Sequence, residues 1–267
     1  MNASEYFKYR QLQIAFSTLG RGKPLIMLHG WGVPSRVMEP LASQLSDIRH
    51  CYLIDLPGFG NSPVPEQPWN ISDYADCITS FIETNCEGPV DILAHSFGGR
   101  ITLKLCADSQ VSSQIDNVLI TGGAGMKPRR SMRFYLKKYS AKLMKFPFLL
   151  LPQPLRKKAL AWLRQTTAWK ALGSSDYQQL DGVMRKTFVK TVTEYLEPCL
   201  RHISHETLLL WGENDQATPL YQAERMELGL RNAALVTIKE AGHYAFLDRP
   251  KKFTSIARAF FNDASSG

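Results

Sequence analysis

The 267-residue sequence predicts a single α/β domain: a mostly parallel central sheet flanked by helices, with a helical segment inserted in it. Three observations predict it. Short apolar runs alternate with stretches whose apolar residues recur at helical spacing. The central runs are continuous and rich in Leu, Ile and Val, as strands covered on both faces are. The stretch Met126–Lys190 breaks the alternation and holds no convincing strand. At 44% hydrophobic and 21% charged residues the composition is that of an ordinary globular chain. A chain of this size buries roughly 70–75% of the surface its unfolded form exposes, so it needs no covalent staples.

The expected strands are Leu12–Ser17, Pro24–His29, His50–Asp55, Val90–Ala94, Asn117–Thr121, Thr207–Trp211 and Ala234–Lys239. The expected helices are Arg36–Leu45, Ser72–Asn85, Gly98–Asp108, Leu220–Gly229 and Pro250–Asn262. Ser72 reads as an N-cap, Gly229 as a helix stop and Pro250 as a first-turn residue. These elements divide the chain into a core, residues 1–125 and 191–267, and an inserted helical lid, residues 126–190.

Chemistry concentrates where strands end. The run Val90–Ala94 passes through His95-Ser96 into Phe97-Gly98-Gly99. A serine at such a strand-to-helix turn sits on strained backbone with its hydroxyl raised above the sheet edge. The flanking small residues here are Ala94 and Gly98. The bland reading is a serine N-cap on a buried helix. His95 reads as a packing or hydrogen-bonding residue of the turn. The strand Pro24–His29 runs into His29-Gly30-Trp31-Gly32, where glycines let the backbone fold back toward the serine. Attack on a carbonyl needs two donors for the developing anion. The candidates are the N–H groups of Trp31 and Phe97. A glycine-rich turn without that task is the alternative, and His29 reads as a brace. Asp55–Ser62 (DLPGFGNS) reads as a structural loop, with Phe59 as a candidate lining residue.

Two further strand ends carry an acid and a base. Asp215 follows the strand ending at Trp211, and His243 follows the strand ending near Lys239. His243 is the candidate base for Ser96, and Asp215 the carboxylate that orients it. Glu213 and Asp248 are rival acids, although Asp248 also reads as a cap for the helix at Pro250. The bland reading of His243 is a loop histidine without a task.

Taken together, HGWG (His29–Gly32), DLPGFGNS, AHSFGG (Ala94–Gly99), WGENDQATP (Trp211–Pro219) and AGHYAFLDRP (Ala241–Pro250) resemble the α/β-hydrolase superfamily. The resemblance covers nearly the whole chain except the lid, and the order Ser96, Asp215, His243 is the one expected of that fold. It implies nucleophile Ser96, acid Asp215, base His243 and oxyanion donors Trp31 and Phe97. The local wording of HGWG and DLPGFGNS is most similar to pimeloyl-acyl-carrier-protein methyl ester esterases. Meta-cleavage carbon–carbon hydrolases and proline iminopeptidases share the layout, and a non-catalytic binding protein on the same fold is a further reading. Ala94 departs from the usual glycine of the serine turn. A serine hydrolase that cleaves a small carboxylic ester or thioester through an acyl-enzyme on Ser96, without metal or organic cofactor, is the expected function.

Charge is distributed unevenly. The chain carries +8 overall, but Met126–Lys190 holds 16 Lys and Arg against Asp176 and Asp181, a net +14, and the remainder carries −6. Cations and aromatics interleave from Lys127 to Tyr139. The segment reads as a solvated basic face, as a docking face for an acyl carrier protein, or as a contact for an anionic membrane surface. Nucleic acid is not expected, because no known nucleic-acid module is present. Phe134, Leu143, Phe146 and Trp162 are candidate substrate-lining residues, chosen from composition. The five cysteines form no CxxC pair or metal spacing and read as buried reduced thiols. No apolar leader is visible at the N-terminus, so a cytoplasmic protein is expected.

Overall fold

The computed structural model describes residues 4–107, 113–129, 132–166, 180 and 182–263. Its strands are β1 (Glu5–Tyr9), β2 (Leu12–Leu19), β3 (Pro24–Leu28), β4 (His50–Ile54), β5 (Val90–His95), β6 (Ile115–Thr121), β7 (Glu206–Gly212) and β8 (Ala233–Ile238). They form one sheet in the order β1-β2-β4-β3-β5-β6-β7-β8. β1 and β2 pair antiparallel, as do β2 and β4, and every later pair is parallel. The helices are α1 (Glu39–Leu45), α2 (Ile71–Asn85), α3 (Phe97–Ala107), α4 (Met132–Leu149), α5 (Gln153–Gln165), α6 (Gly182–Thr193), α7 (Glu197–Leu200), α8 (Leu220–Gly229), α9 (Ala245–Asp248) and α10 (Pro250–Asp263).

The period-two alternation of strand side chains sorts the core into two layers. Ile26, Leu28, Ile92, Ala94, Val118, Ile120, Leu209 and Trp211 face α2, α3 and α8. Leu25, Met27, Leu53, Leu93, Leu119, Leu208 and Leu210 face α1 and α10, where Phe253, Ala257 and Phe261 are buried. The chain leaves β3 toward one layer and β5 toward the other. Their C-terminal ends therefore open a crevice, the place where parallel sheets hold ligands. At the opposite edge, the buried Asp91 of β5 accepts from Arg49 Nε at 2.8 Å and meets Lys23 Nζ at 2.9 Å.

Three expectations need correction. β1 was not visible as a strand, because its Glu5 and Lys8 break the apolar pattern and four of its five residues lie outside the core. The first expected helix begins as a 3-10 turn, Ser35–Met38, and becomes α-helical at Glu39, with Pro40 in its opening turn. The N-cap of α2 is Asn70, not Ser72. Asn70 Oδ1 accepts from Asp73 N–H at 3.0 Å and Asp73 Oδ2 accepts from Asn70 N–H at 2.9 Å, a reciprocal box that satisfies two orphan donors.

Between β6 and β7 the described residues include the helices α4, α5, α6 and α7, and the two ends of this stretch differ. α6 is fastened to the core: buried Thr187 accepts from Trp69 N–H at 3.1 Å, and Arg100 reaches the Thr191 carbonyl at 3.0 Å. α4 and α5 pack against each other, with Phe148 and Trp162 ring centroids 6.5 Å apart. Pro147 lies inside α4 rather than between helices. Cys51, Cys77 and Cys106 are buried, Cys86 and Cys199 half-buried, and all five are free thiols.

Candidate active site

β5 ends at His95 and α3 begins at Phe97, leaving one residue for the turn. That residue, Ser96, has φ 52°, in the left-handed region a serine rarely enters. The surroundings hold it there. Ser96 N–H donates to the Thr121 carbonyl at 3.1 Å, and its own carbonyl accepts from Gly99 and Ala124. α3 can approach β3 this closely only because residue 98 is glycine: a Cβ there would lie 2.3 Å from the Leu28 carbonyl oxygen.

Three strand ends bring the predicted residues together. His243 Nε2 lies 3.0 Å from Ser96 Oγ, and His243 Nδ1 lies 2.8 Å from Asp215 Oδ2. With a carboxylate on Nδ1, the imidazole carries its proton there and presents a lone pair to the serine hydroxyl. The Asp215 side chain is fully buried, while that of His243 keeps 20% of its surface exposed. Asp215 Oδ1 also accepts from the N–H groups of Ala217 and Thr218, and the Thr218 hydroxyl sits 2.8 Å from Oδ2. Burial by itself pushes the Asp215 carboxyl up. The hydrogen bonds from His243 and Thr218 outweigh it and hold the group below its ordinary range.

The rival acids go elsewhere. Glu213 is exposed on the loop after β7. Asp248 accepts from Gly242 N–H at 2.7 Å, so it braces the histidine loop rather than capping α10. Sequence reading missed Thr218 and Gly122. Thr218 Oγ1 lies 2.9 Å from the Gly122 carbonyl, and a Cβ on Gly122 would come within 2.9 Å of His243 Nδ1. The signal for Thr218 lay in its place three residues after the acid, where a hydroxyl can turn back.

The loop after β3 is fixed by a histidine. Buried His29 accepts at Nε2 from Leu56 N–H at 3.0 Å, so its proton is on Nδ1, which donates to the Gly30 carbonyl at 2.7 Å. Burial lowers its pKa to about 4, and the ring is neutral. Gly32 takes φ 80°. The Trp31 indole is enclosed by Phe59, Phe97 and Phe188 at 4.9, 5.1 and 5.1 Å between centroids. Phe188 comes from α6, as does Met184, whose side chain would meet a Cβ on Gly58 at 2.6 Å. Neither was singled out in the sequence, because helical spacing alone does not tell which face of α6 meets the loop. Asp55 pins the next turn, accepting from Ser35 and Asn61 N–H at 2.7 and 2.8 Å.

The expected apolar lining is placed differently. Leu143, Phe146 and Trp162 are 75%, 60% and 62% exposed, so they do not form an enclosed acyl pocket. They sit on the helical pair α4–α5, which packs on itself through Phe148 and Trp162. The side chain of Phe134 lies outside the described residues. Trp31, Phe59, Phe97 and Phe188 form a separate aromatic cluster at the loop after β3.

A sequence model of the alpha/beta hydrolase family matches residues 25–256. Over 257 residues the chain is 26% identical to the pimeloyl-[acyl-carrier protein] methyl ester esterase of Nitrosomonas europaea, covering 91% of this chain and 97% of that one. Among solved structures it is similar to a membrane phospholipase A described as a bacterial virulence factor, with TM-score 0.75 and 21% identity over 99% of this chain and 87% of that one. It is also similar to an esterase from Exiguobacterium antarcticum, with TM-score 0.71 and 21% identity over 94% of this chain and 96% of that one. At such identities the structures establish the fold alone. Family match, sheet order and the placement of the three strand-end residues agree: the chain belongs to the alpha/beta hydrolase family.

Proposed function

We propose that the protein is a serine hydrolase that cleaves a carboxylic ester through an acyl-enzyme on Ser96. The observation that carries this reading is the unbroken line of contacts from Ser96 Oγ through the His243 ring to Asp215, 3.0 and 2.8 Å long. His243 Nε2 takes the hydroxyl proton as Oγ attacks the ester carbonyl carbon. The carbonyl π pair moves onto oxygen, where the N–H groups of Trp31 and Phe97 stabilise the charge. Collapse breaks the bond to the alkoxy group, which leaves as an alcohol with the proton from His243. Water repeats the sequence on the acyl-enzyme and releases the acid. Asp215 keeps Nδ1 protonated and balances the imidazolium that forms.

Because one relative is named a pimeloyl-[acyl-carrier protein] methyl ester esterase, an acyl methyl ester on acyl carrier protein is a substrate to test. Residues 126–190 serve in this reading as the lid that selects the acyl group. Phe188 and Met184 of α6 stand beside Trp31 and Gly58, so chain-length preference should respond to them first. The test is turnover of short p-nitrophenyl esters, beside a ring-fission dienoate and a proline amide. Ester turnover that falls at least about 10³-fold in Ser96→Ala supports the reading. Preference for the dienoate or the amide reassigns the chemistry, and no turnover of any of them favours a binding protein.

A further inference from the structure

The helical pair α4–α5 leaves a large apolar surface uncovered. Leu143, Phe146, Leu149, Leu150, Leu155 and Trp162 are all between 49% and 75% exposed. Exposed apolar residues are scattered singly on most surfaces, and their concentration on one pair of helices marks an interaction site. Four of them lie in or beside the turn that joins the two helices, residues 146–155, and Arg156, Lys157 and Lys158 follow directly. No acidic residue occurs between Asp116 and Asp176. The pair therefore presents long apolar side chains and cations together, with no counter-charge of its own.

Charge decides between the occupants such a surface could have. A second copy would bring another segment of the same +14 against this one. An acidic protein would match the cations but would have to cover Leu149 and Leu150 with a charged face. An anionic bilayer meets both demands, with phosphate headgroups for the cations and acyl chains for the apolar tip. Among the described residues no helix is long and apolar enough to cross a membrane. We propose that the α4–α5 pair is a docking surface for an anionic lipid bilayer, with Phe146, Leu149 and Leu150 inserted at the headgroup boundary and Arg156, Lys157 and Lys158 on the phosphates. The proposal goes beyond the ester-hydrolase reading and does not depend on it. The insertion leaves the sheet at the C-terminal end of β6, the edge that carries Ser96. Docking there would present the site to amphiphilic esters.

The experiment is cosedimentation of the full chain with vesicles of phosphatidylcholine alone and of phosphatidylcholine with a third phosphatidylglycerol. Binding to the anionic vesicles and its weakening by added salt are expected. Leu149→Asp/Leu150→Asp and Arg156→Glu/Lys157→Glu/Lys158→Glu should each reduce it at least about tenfold. Leu228→Asp, which changes an exposed leucine on α8, should leave it intact. Circular dichroism and p-nitrophenyl ester turnover of the same variants separate lost docking from lost folding. Ser96→Ala should bind vesicles as the parent does, so loss of the hydrolase reading would leave this one standing. Equal sedimentation with and without phosphatidylglycerol overturns the proposal. So does capture of purified acyl carrier protein without vesicle binding, or a dimer that the Leu149/Leu150 variant dissolves.

Discussion

The Nε2 atom of His95 lies 3.1 Å from the backbone carbonyl oxygen of His243, so the residue before the serine ties down the residue that faces the serine. The two ring centroids also lie 4.7 Å apart, with the rings tilted by 54°. Burial, and then the neighbouring His243, lower the His95 pKa to about 3. The ring is neutral, and its Nε2–H donates to the carbonyl. His95 is thus a positioning residue. His95→Phe keeps the volume and removes the donor, and should lower kcat roughly 10- to 100-fold with KM little changed. His95→Gln can reach the same carbonyl and should restore much of the loss. Equal rates in all three proteins would show the tie to be idle.

Asp215→Asn replaces an acceptor on His243 Nδ1 with a group that can donate, which favours the wrong tautomer. The fold should survive, because the N–H groups of Ala217 and Thr218 still find an oxygen at position 215. Ester turnover should nevertheless fall by roughly 10⁴. A loss under about tenfold would remove Asp215 from the catalytic line and reopen the case for Glu213.

Two buried neutral histidines make stability depend on pH. Below about pH 6.5 the unfolded chain takes up a proton on each ring. The folded chain resists protonation until about pH 4 at His29 and about pH 3 at His95. The unfolded state therefore binds more protons in this window, and stability falls as pH falls. Between pH 7 and pH 5 each ring should withdraw about 2 kcal/mol. Urea unfolding at the two pH values measures this, and His95→Gln should recover about half of the difference. An unchanged midpoint would contradict the burial of neutral rings.

Asp91 anchors the far edge of the sheet. Removing it takes from buried Arg49 the carboxylate that its Nε meets. Asp91→Ala should cost about 3–5 kcal/mol in urea unfolding, with the active-site rate per folded molecule unchanged. A loss below about 1 kcal/mol would mean that water reaches Arg49.

The central fold was legible because buried parallel strands have a simple signature. β3, the Ile92–Ala94 part of β5 and the Leu208–Trp211 part of β7 read as apolar runs, and each leads into a glycine or a turn residue at the working edge. Ser96 and Asp215 stood out as candidates because each follows such a run, and His243 because it follows the apolar stretch of β8. β1 was illegible since an edge strand faces water and carries Glu5 and Lys8. Asn70 was missed as the cap because Ser72 matched the same preference, and only the reciprocal bond with Asp73 separates them. Thr218, Gly122 and Phe188 act through distant partners, and distance in space has no local mark in sequence. The lining choice of Leu143, Phe146 and Trp162 came from composition, which cannot distinguish an apolar face turned to a pocket from one turned to solvent.

The proposed attacking atom is Ser96 Oγ. Labelling with a fluorophosphonate, followed by mass mapping of the modified peptide, tests it most directly. One adduct on Ser96 is expected, absent in Ser96→Ala and much slower to form in His243→Ala. An unlabelled parent protein, or an adduct on another residue that persists in Ser96→Ala, would contradict the account.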